Sequence, residues 1–453
     1  MAFKGVKEGP VDRGSFARFC SSIDPEWIAK ALSATGKASI RRRRLPAEQV
    51  IWLVLGMALF RDLSIEEVVR ELALALPSAN GVSVVPSAAI QARGRLGPDP
   101  LRWLFEHCAS VWVSRNSERN TWRGLALYSV DGTTVHVPDS AENRQHFGDI
   151  LTFGPRRYKG RAAYPRARMV TLMSLRSHLI SAARFGAYTT GEFGFAEDLW
   201  ARIPDNSLTI LDRYFYSARV LMPLRADGHN RHWLIRAKTN IHAHRVKSFS
   251  PDDELVELRV SLPARQRDRE LPAQWVARAV RYERKGFRPS WLLTSLLDPA
   301  EHPAAEIVRL YHERWEIELG YDEVKTEMLE REEAIRSKKP AGVEQELWGL
   351  LLAYNLIRLE MRQVAIEAKV PETRISFVAA LRLIRSTLLG LVFASPGAIP
   401  QRLIDLRSDI RHFVPPERRP REYPRAVKIR TSPYPSLAVT KRSQSGPSSP
   451  TAN

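Results

Sequence analysis

Three acidic residues and three companions stand where their types and spacing could do phosphate chemistry. Asp131 follows the apolar stretch 125–130 inside Asp131-Gly132-Thr133-Thr134, and Asp212 follows 208–211 inside Asp212-Arg213-Tyr214-Phe215. If those stretches are neighbouring parallel strands, both carboxylates emerge at one sheet edge, where α/β sheets place their sites. The third acid, Glu318, lies on a long helix predicted from 303 to about 336. There Tyr311, Arg314, Glu318 and Lys325 stand at offsets 0, 3, 7 and 14. At roughly 100° per residue the four fall within an arc of about 60°, while Leu310, Ile317 and Val324 form a separate apolar seam. Cleaving a phosphodiester needs charge neutralisation at the phosphate and an activated water or 3′-hydroxyl. Two divalent ions about 3.5–4 Å apart supply both, and Mg²⁺ prefers carboxylate oxygens. Three clustered carboxylates would repel one another without a cation. Asp131, Asp212 and Glu318 therefore read as catalytic residues and metal ligands. Arg314 could clamp a phosphate bidentately, Tyr311 could donate a hydrogen bond and Lys325 could act as a point charge. Spacing alone leaves open a solvated helix face of mixed charge.

The elements that must position these residues are read from periodicity. The N-terminal third is helical: one helix opens at Pro46 and Glu48, a second at Ser64 with Glu67 as a capping box, a third near Ser87. With basic residues 41–44 ahead of them, these fit either a helix-turn-helix-like DNA-binding module or an ordinary bundle. Strands are predicted at 125–130, 133–137, 168–175, 179–185, 208–211 and 232–236, with helices at 194–203 and from Ser217. Residues 240–296 read as a β-rich insertion, with strands at 255–262, 274–282 and 290–296. Helices follow at 344–368 and 377–392. After Val414 the composition turns to Pro, Ser and Arg, which reads as a disordered basic tail. The fold class is mixed α/β (α+β). Its units are a helical N-terminal region 1–124, a catalytic domain in two parts, 125–239 and 297–372, the insertion 240–296, a helical region 373–414 and the tail 415–453.

Composition agrees with a DNA-acting protein. The chain has 453 residues, 44% hydrophobic and 26% charged, so it buries a core rather than remaining disordered. Lys and Arg number 69 against 50 Asp and Glu, a net charge of +19 that points to a polyanionic partner. The longest apolar run, 51–60, is too short to span a bilayer. Residues 1–10 lack the apolar core of a secretory leader, and Cys20 and Cys108 are too few for a disulfide framework. A cytoplasmic, nucleoid-associated location is expected. Residues 31–38 resemble a phosphate-binding loop, but Ala31 and Ala38 stand where glycine and Ser/Thr are needed. His242 and His244 lack partners at ligand spacing and read as solvated.

At its acidic residues the sequence resembles the DDE transposases of bacterial insertion sequences, of the insertion-sequence-four family. That family carries a first Asp in a D-G-T-T-like motif, a second in D-R-x-F/Y, and the signature Y-x2-R-x3-E-x6-K. Here these are Asp131 to Thr134, Asp212 to Phe215, and Tyr311, Arg314, Glu318 and Lys325, in the family's order. Tyr214 stands where many relatives have glycine. The likeness extends over most of 20–370. It implies an RNase H-like catalytic domain, with Asp131, Asp212 and Glu318 holding two Mg²⁺ ions that Mn²⁺ can replace. It further implies a helical N-terminal domain on the element's terminal inverted repeats, nicking, hairpin release, strand transfer into target DNA, and a homodimer on DNA with no membrane partner. Tyr311, Arg314 and Lys325 would hold end phosphates, and an insertion tryptophan, Trp291 ahead of Trp275, would stack a flipped base. Two alternatives stay open: an RNase H-like nuclease without strand transfer, and a non-catalytic DNA-binding regulator.

Overall fold

The computed structural model describes residue 16 and residues 19–38, 45–72, 86–148, 151–153, 159–161, 164–239, 241–283, 289–330, 335–391, 394 and 396–416. Basic residues 41–44 and most of the tail lie outside the described residues. Within them, one mixed sheet of ten strands carries the molecule. Its strands are β1 (Thr121–Trp122), β2 (Leu125–His136), β3 (Arg166–Ser174), β4 (Ile180–Ala187), β5 (Ser207–Leu211), β6 (Arg231–Arg236), β7 (Ala243–Ser250), β8 (Asp253–Arg259), β9 (Gln274–Tyr282) and β10 (Ser290–Thr294). The spatial order is β4-β3-β2-β5-β6-β10-β9-β8-β7, with β1 on β2. β2, β3 and β4 pair antiparallel, and β2, β5 and β6 pair parallel. This is the RNase H-like arrangement that the family resemblance implies.

Three expectations are corrected. The strands expected at 125–130 and 133–137 are one strand, β2, running through Asp131 and Gly132. Gly132 and the threonines after it break the apolar run, but β3 pairs along β2 as far as His136 and supplies the hydrogen bonds to continue it. Next, the β-rich insertion carries, among the described residues, a fourth strand beyond the three expected, Ala243–Ser250. β10 pairs with β6, so β7–β10 extend the catalytic sheet outward. Strand β7, exposed along most of its length, carries no apolar alternation and is missed by periodicity. Last, the long helix is not uniform. It runs over Ala304–Glu313, tightens at Arg314, resumes over Trp315–Asp322 and widens into a π-helical turn, Glu323–Met328. At the junction the N–H groups of Arg314 and Ile317 bond three residues back, to Tyr311 and Arg314.

The N-terminal helices do not stand apart. In Ala47–Leu59 every residue from Val50 to Leu59 is buried, as in a core helix rather than one free to enter a DNA groove. It packs against the 29-residue helix Pro340–Ala368, where Gly349 allows the approach. A Cβ at Gly349 would sit 2.5 Å from Val54 Cγ1 and 3.3 Å from the Val54 carbonyl oxygen. Gly349→Ala is therefore expected to destabilise the protein by about 1–3 kcal/mol in urea or thermal unfolding. Unchanged stability would mean that the two helices can part freely. The capping box is present in full: Ser64 Oγ accepts from Glu67 N at 3.2 Å and Glu67 Oε2 accepts from Ser64 N at 2.7 Å. The stretch resembling a phosphate-binding loop is the end of helix Pro25–Ala34, turned at Gly36 with φ +65°.

Candidate active site

The parallel strands deliver the site. Val130 on β2 pairs with Leu211 on β5, and Leu211 pairs with Ile235 on β6. The next residues are Asp131, Asp212 and Arg236, so two carboxylates and a guanidinium stand at neighbouring register positions where the parallel pairing ends. Asp131 is half-buried, and burial pushes its carboxyl up to about 7. The nearby Glu192 and Asp212 carboxylates push the same way, while the Gly132 N–H, 2.8 Å from Asp131 Oδ1, and the Arg314 charge pull it down.

The glutamate helix is fixed to the same strand. The Tyr321 hydroxyl donates to the Asp131 carbonyl and shares a 2.8 Å hydrogen bond with Thr171 Oγ1, opposite Asp131 on β3. Tyr321 lies one helical turn beyond Glu318, so this contact sets how far the glutamate stands from the sheet edge. Arg314 is buried at 8% exposure, and its Nη2 donates to Glu318 Oε1 at 2.8 Å. Its Nε is buried without a hydrogen-bond partner, and its guanidinium lies 5.2 Å from the Trp315 ring centroid. Burial opposes the charge on Arg314, but Tyr311, Glu318 and Asp212 outweigh it and hold the proton more tightly than usual. Tyr311 is buried edge-on to Tyr282 at 5.5 Å. Burial pushes its phenol up to about 12, with Arg314, Asp212 and Arg236 close enough to act on it.

The structure thus brings Asp131, Asp212, Tyr311 and Arg314 together, with Glu318 held by Arg314. Among the described residues no group of three or more His, Cys, Asp and Glu stands ready to hold a metal ion. Glu318 is turned to Arg314 instead, its side chain 41% exposed. Lys325 is half-buried on the π-helical turn, which the even angular count over the helix did not foresee. Three further residues escaped the sequence reading: Glu192, Arg236 and Tyr321. Only Gly132 hinted at one of them, because glycine inside a strand marks a close approach.

The two tryptophans stand in different surroundings. Trp291 on β10 is half-buried against the main core, and its carbonyl accepts from Ala237 N at 2.8 Å. Trp275 packs against Trp233 at 5.3 Å and lines a cavity of about 920 Å³. Tyr216, Lys238, His242, His244 and Arg259 line it too, beside the segment that follows Asp212. Tyr214 is 47% exposed, its ring 5.0 Å from that of Phe193, and it leaves Asp212 in place at the strand end.

Residues 13–106 match the family described as insertion element 4 transposase N-terminal, and residues 122–356 match the transposase DDE domain. The chain is 39% identical to the transposase InsG for insertion sequence element IS4 of Escherichia coli (strain K12), over 93% of this chain and 94% of that one. It is 36% identical to the putative transposase InsZ of the same strain, over 51% of this chain and 74% of that one. Among solved structures, the piggyBac transposase synaptic complex with hairpin DNA is similar at 13% identity and a TM-score of 0.45, covering 89% of this chain and 86% of that one. With the DDE domain matched over more than half the chain and a full-length relative at this identity, the chain belongs to the DDE transposases of the insertion element 4 family.

Proposed function

We propose that this transposase moves its element by cut-and-paste: metal-dependent nicking at terminal inverted repeats, release through a DNA hairpin, and strand transfer into target DNA. The observation that carries this reading is the placement of Asp131 and Asp212 side by side, with Arg314, its Nε unpartnered, beside them. A buried guanidinium with unused donors suits a phosphate oxygen. The all-carboxylate donor set of Asp131, Asp212 and Glu318 suits Mg²⁺ or Mn²⁺. Burial, and to a lesser degree the Glu192 and Asp212 carboxylates, raises the Asp131 carboxyl, and a bound cation would offset this. When bound, the ions supply charge neutralisation at the phosphate and an activated attacking oxygen.

The chain's own residues do the rest. Arg314 takes a phosphate oxygen, Tyr311 donates its hydroxyl to another and Lys325 adds a point charge. For base stacking the cavity favours Trp275 over Trp291. DNA-end binding by the N-terminal region is best supported on helix Pro86–Leu96, which exposes Ser87, Ile90, Gln91, Gly94 and Arg95 on its outer side. Two copies pairing two ends, and action at the nucleoid, belong to the same proposal. Among the described residues no helix is long and apolar enough to cross a membrane.

The test uses purified protein and a labelled donor fragment carrying the DNA that flanks this reading frame. Discrete nicks and hairpins in Mg²⁺, absent in EDTA, are the expected result. Binding should weaken steeply with salt, since each neutralised phosphate releases counterions. Nicks without hairpins or joined products would favour a plain nuclease, and binding without any cut would favour a regulator.

A further inference from the structure

The helix that carries Tyr311, Arg314 and Glu318 is seated in two different cores. Over Ala304–Glu313 it buries Ile307, Leu310 and Tyr311 in a small cluster shared with Val280, Tyr282 and Leu292 of the insertion. From Trp315 onward it buries Ile317, Tyr321, Val324 and Met328 in the main core instead. The change falls at Arg314, where the helix tightens. Tyr311 is thus held from the insertion side, whereas Glu318 stands on the half that Tyr321 ties to β2.

Strand β9 is built to hold that first half. Arg278, Val280 and Tyr282 alternate along it and so share one face. Arg278 is fully buried and pairs bidentately with Asp253, Nε to Oδ1 at 2.7 Å and Nη2 to Oδ2 at 2.6 Å. Burying such a pair adds little to stability by itself, because desolvation offsets the attraction. The remaining nitrogen, Nη1, donates to the carbonyls of His302 at 2.6 Å and Asp298 at 3.3 Å, in the loop that leads into the glutamate helix. That fixes where the helix begins. Two turns on, Tyr282 packs edge-on against Tyr311 at 5.5 Å and lies tilted to His312 at 5.4 Å. Among the described residues nothing hydrogen-bonds the Tyr311 hydroxyl, so ring packing sets where it points.

We propose that Tyr282 is a positioning residue for the reaction: it holds the Tyr311 ring from the insertion side, so that the phenol meets the phosphate that Arg314 takes. This rests on the phosphate role proposed for Tyr311. Tyr282 lies outside the three motifs that the sequence carries. It acts only through Tyr311, and the insertion thereby sets one arm of the site while the main core sets the other.

The test is single-turnover nicking of the labelled flanking fragment in Mg²⁺, at saturating protein. It compares the full-length wild type with Tyr282→Leu, Tyr282→Phe, Tyr311→Phe and the double variant Tyr282→Leu/Tyr311→Phe. DNA affinity in EDTA and thermal melting are measured beside it. Tyr282→Leu is expected to slow nicking by about 10–100-fold, the scale of a misplaced contact, while DNA affinity stays near wild type. Tyr282→Phe keeps the ring and should recover the rate to within about twofold. In the Tyr311→Phe background, Tyr282→Leu should add no more than about twofold, because both changes remove one contact. Equal slowing in both backgrounds overturns the positioning role and makes Tyr282 a plain core residue. Wild-type nicking by Tyr282→Leu, with slow nicking by Tyr311→Phe, overturns it too and leaves the proposed function standing. Wild-type nicking by Tyr311→Phe overturns the phosphate role of Tyr311 and that of Tyr282 with it. No nicking by the wild type overturns the proposed function as a whole, Tyr282 included. If Tyr282→Leu fails to fold, Tyr282→Met, nearer in volume, decides in its place.

Discussion

Glu318→Gln is expected to lower nicking of the flanking DNA by at least about 10²–10³-fold, the scale on which single charge-stabilising groups act in a transition state. DNA affinity measured in EDTA should stay close to wild type. The substitution keeps the shape of the side chain, and its amide oxygen can still accept from Arg314 Nη2, now at 2.8 Å from Glu318 Oε1. The helix should therefore hold its place, fixed by Tyr321 on Asp131 and by the buried seam of Leu310, Ile317 and Val324. Only the negative charge is lost, which is the property that a divalent cation and a phosphate-holding arginine both need. A gel assay on a labelled fragment, paired with a binding isotherm, separates the two effects. Cleavage that survives in the variant would show that the third acid has been assigned to the wrong residue.

Much of this site is legible in the sequence because short-range rules fix it. Asp131 and Asp212 each follow an apolar strand, and the parallel register that sets them side by side follows from the strand ends. The capping box at Ser64 and the helices around it are local signals, and they hold. Three features are not local. Gly132 breaks the apolar run but not the strand, because β3 continues the pairing from a distance of some forty residues in sequence. Helix Ala47–Leu59 is apolar nearly throughout, but the element that covers it lies some three hundred residues on, where Gly349 lets helix Pro340–Ala368 pack against it. The even helical count from Tyr311 to Lys325 assumes one uniform helix. The tightening at Arg314 and the π-helical turn after Asp322 answer to contacts with β2 and with helix Pro340–Ala368, which no periodicity reveals.

Arg314 explains why the site reads differently in sequence and in space. On paper it is one of four residues on a helix face, aimed at DNA. In the fold it is buried, bonded to Glu318 and lacking a partner at Nε. The same guanidinium can neutralise Glu318 before DNA arrives and hold a phosphate afterwards. A buried arginine is suited to this double use, because its charge persists at any working pH and its planar fork offers donors on two sides.

The largest expected loss of stability comes from behind the glutamate helix. Glu323, at the start of the π-helical turn, bonds to Arg358 and accepts from Tyr354 Oη at 2.8 Å. His178 lies 3.6 Å away through Nδ1 and bonds Glu316 through Nε2 at 2.8 Å. Arg358 also donates from Nε to Tyr354 Oη at 3.2 Å and lies 5.3 Å from the Phe377 ring centroid. This network ties the glutamate helix to helix Pro340–Ala368 and to the turn between β3 and β4. Burial by itself would raise the Glu323 carboxyl, but the Arg358 charge, with His178 and Tyr354, brings it down to about 2 from an ordinary 4.5. A carboxyl depressed on folding contributes stability above its unfolded value, and that contribution fades as pH falls from about 4.5 towards 2. Arg358→Met removes the cation and leaves Glu323 charged and uncompensated, which is expected to cost about 3–5 kcal/mol in denaturant unfolding at neutral pH. The double variant Arg358→Met/Glu323→Gln should recover much of that loss and lose less stability than wild type between pH 5 and 3. If Arg358→Met is as stable as wild type, or the double variant recovers nothing, the ion pair does not hold the glutamate helix against the sheet.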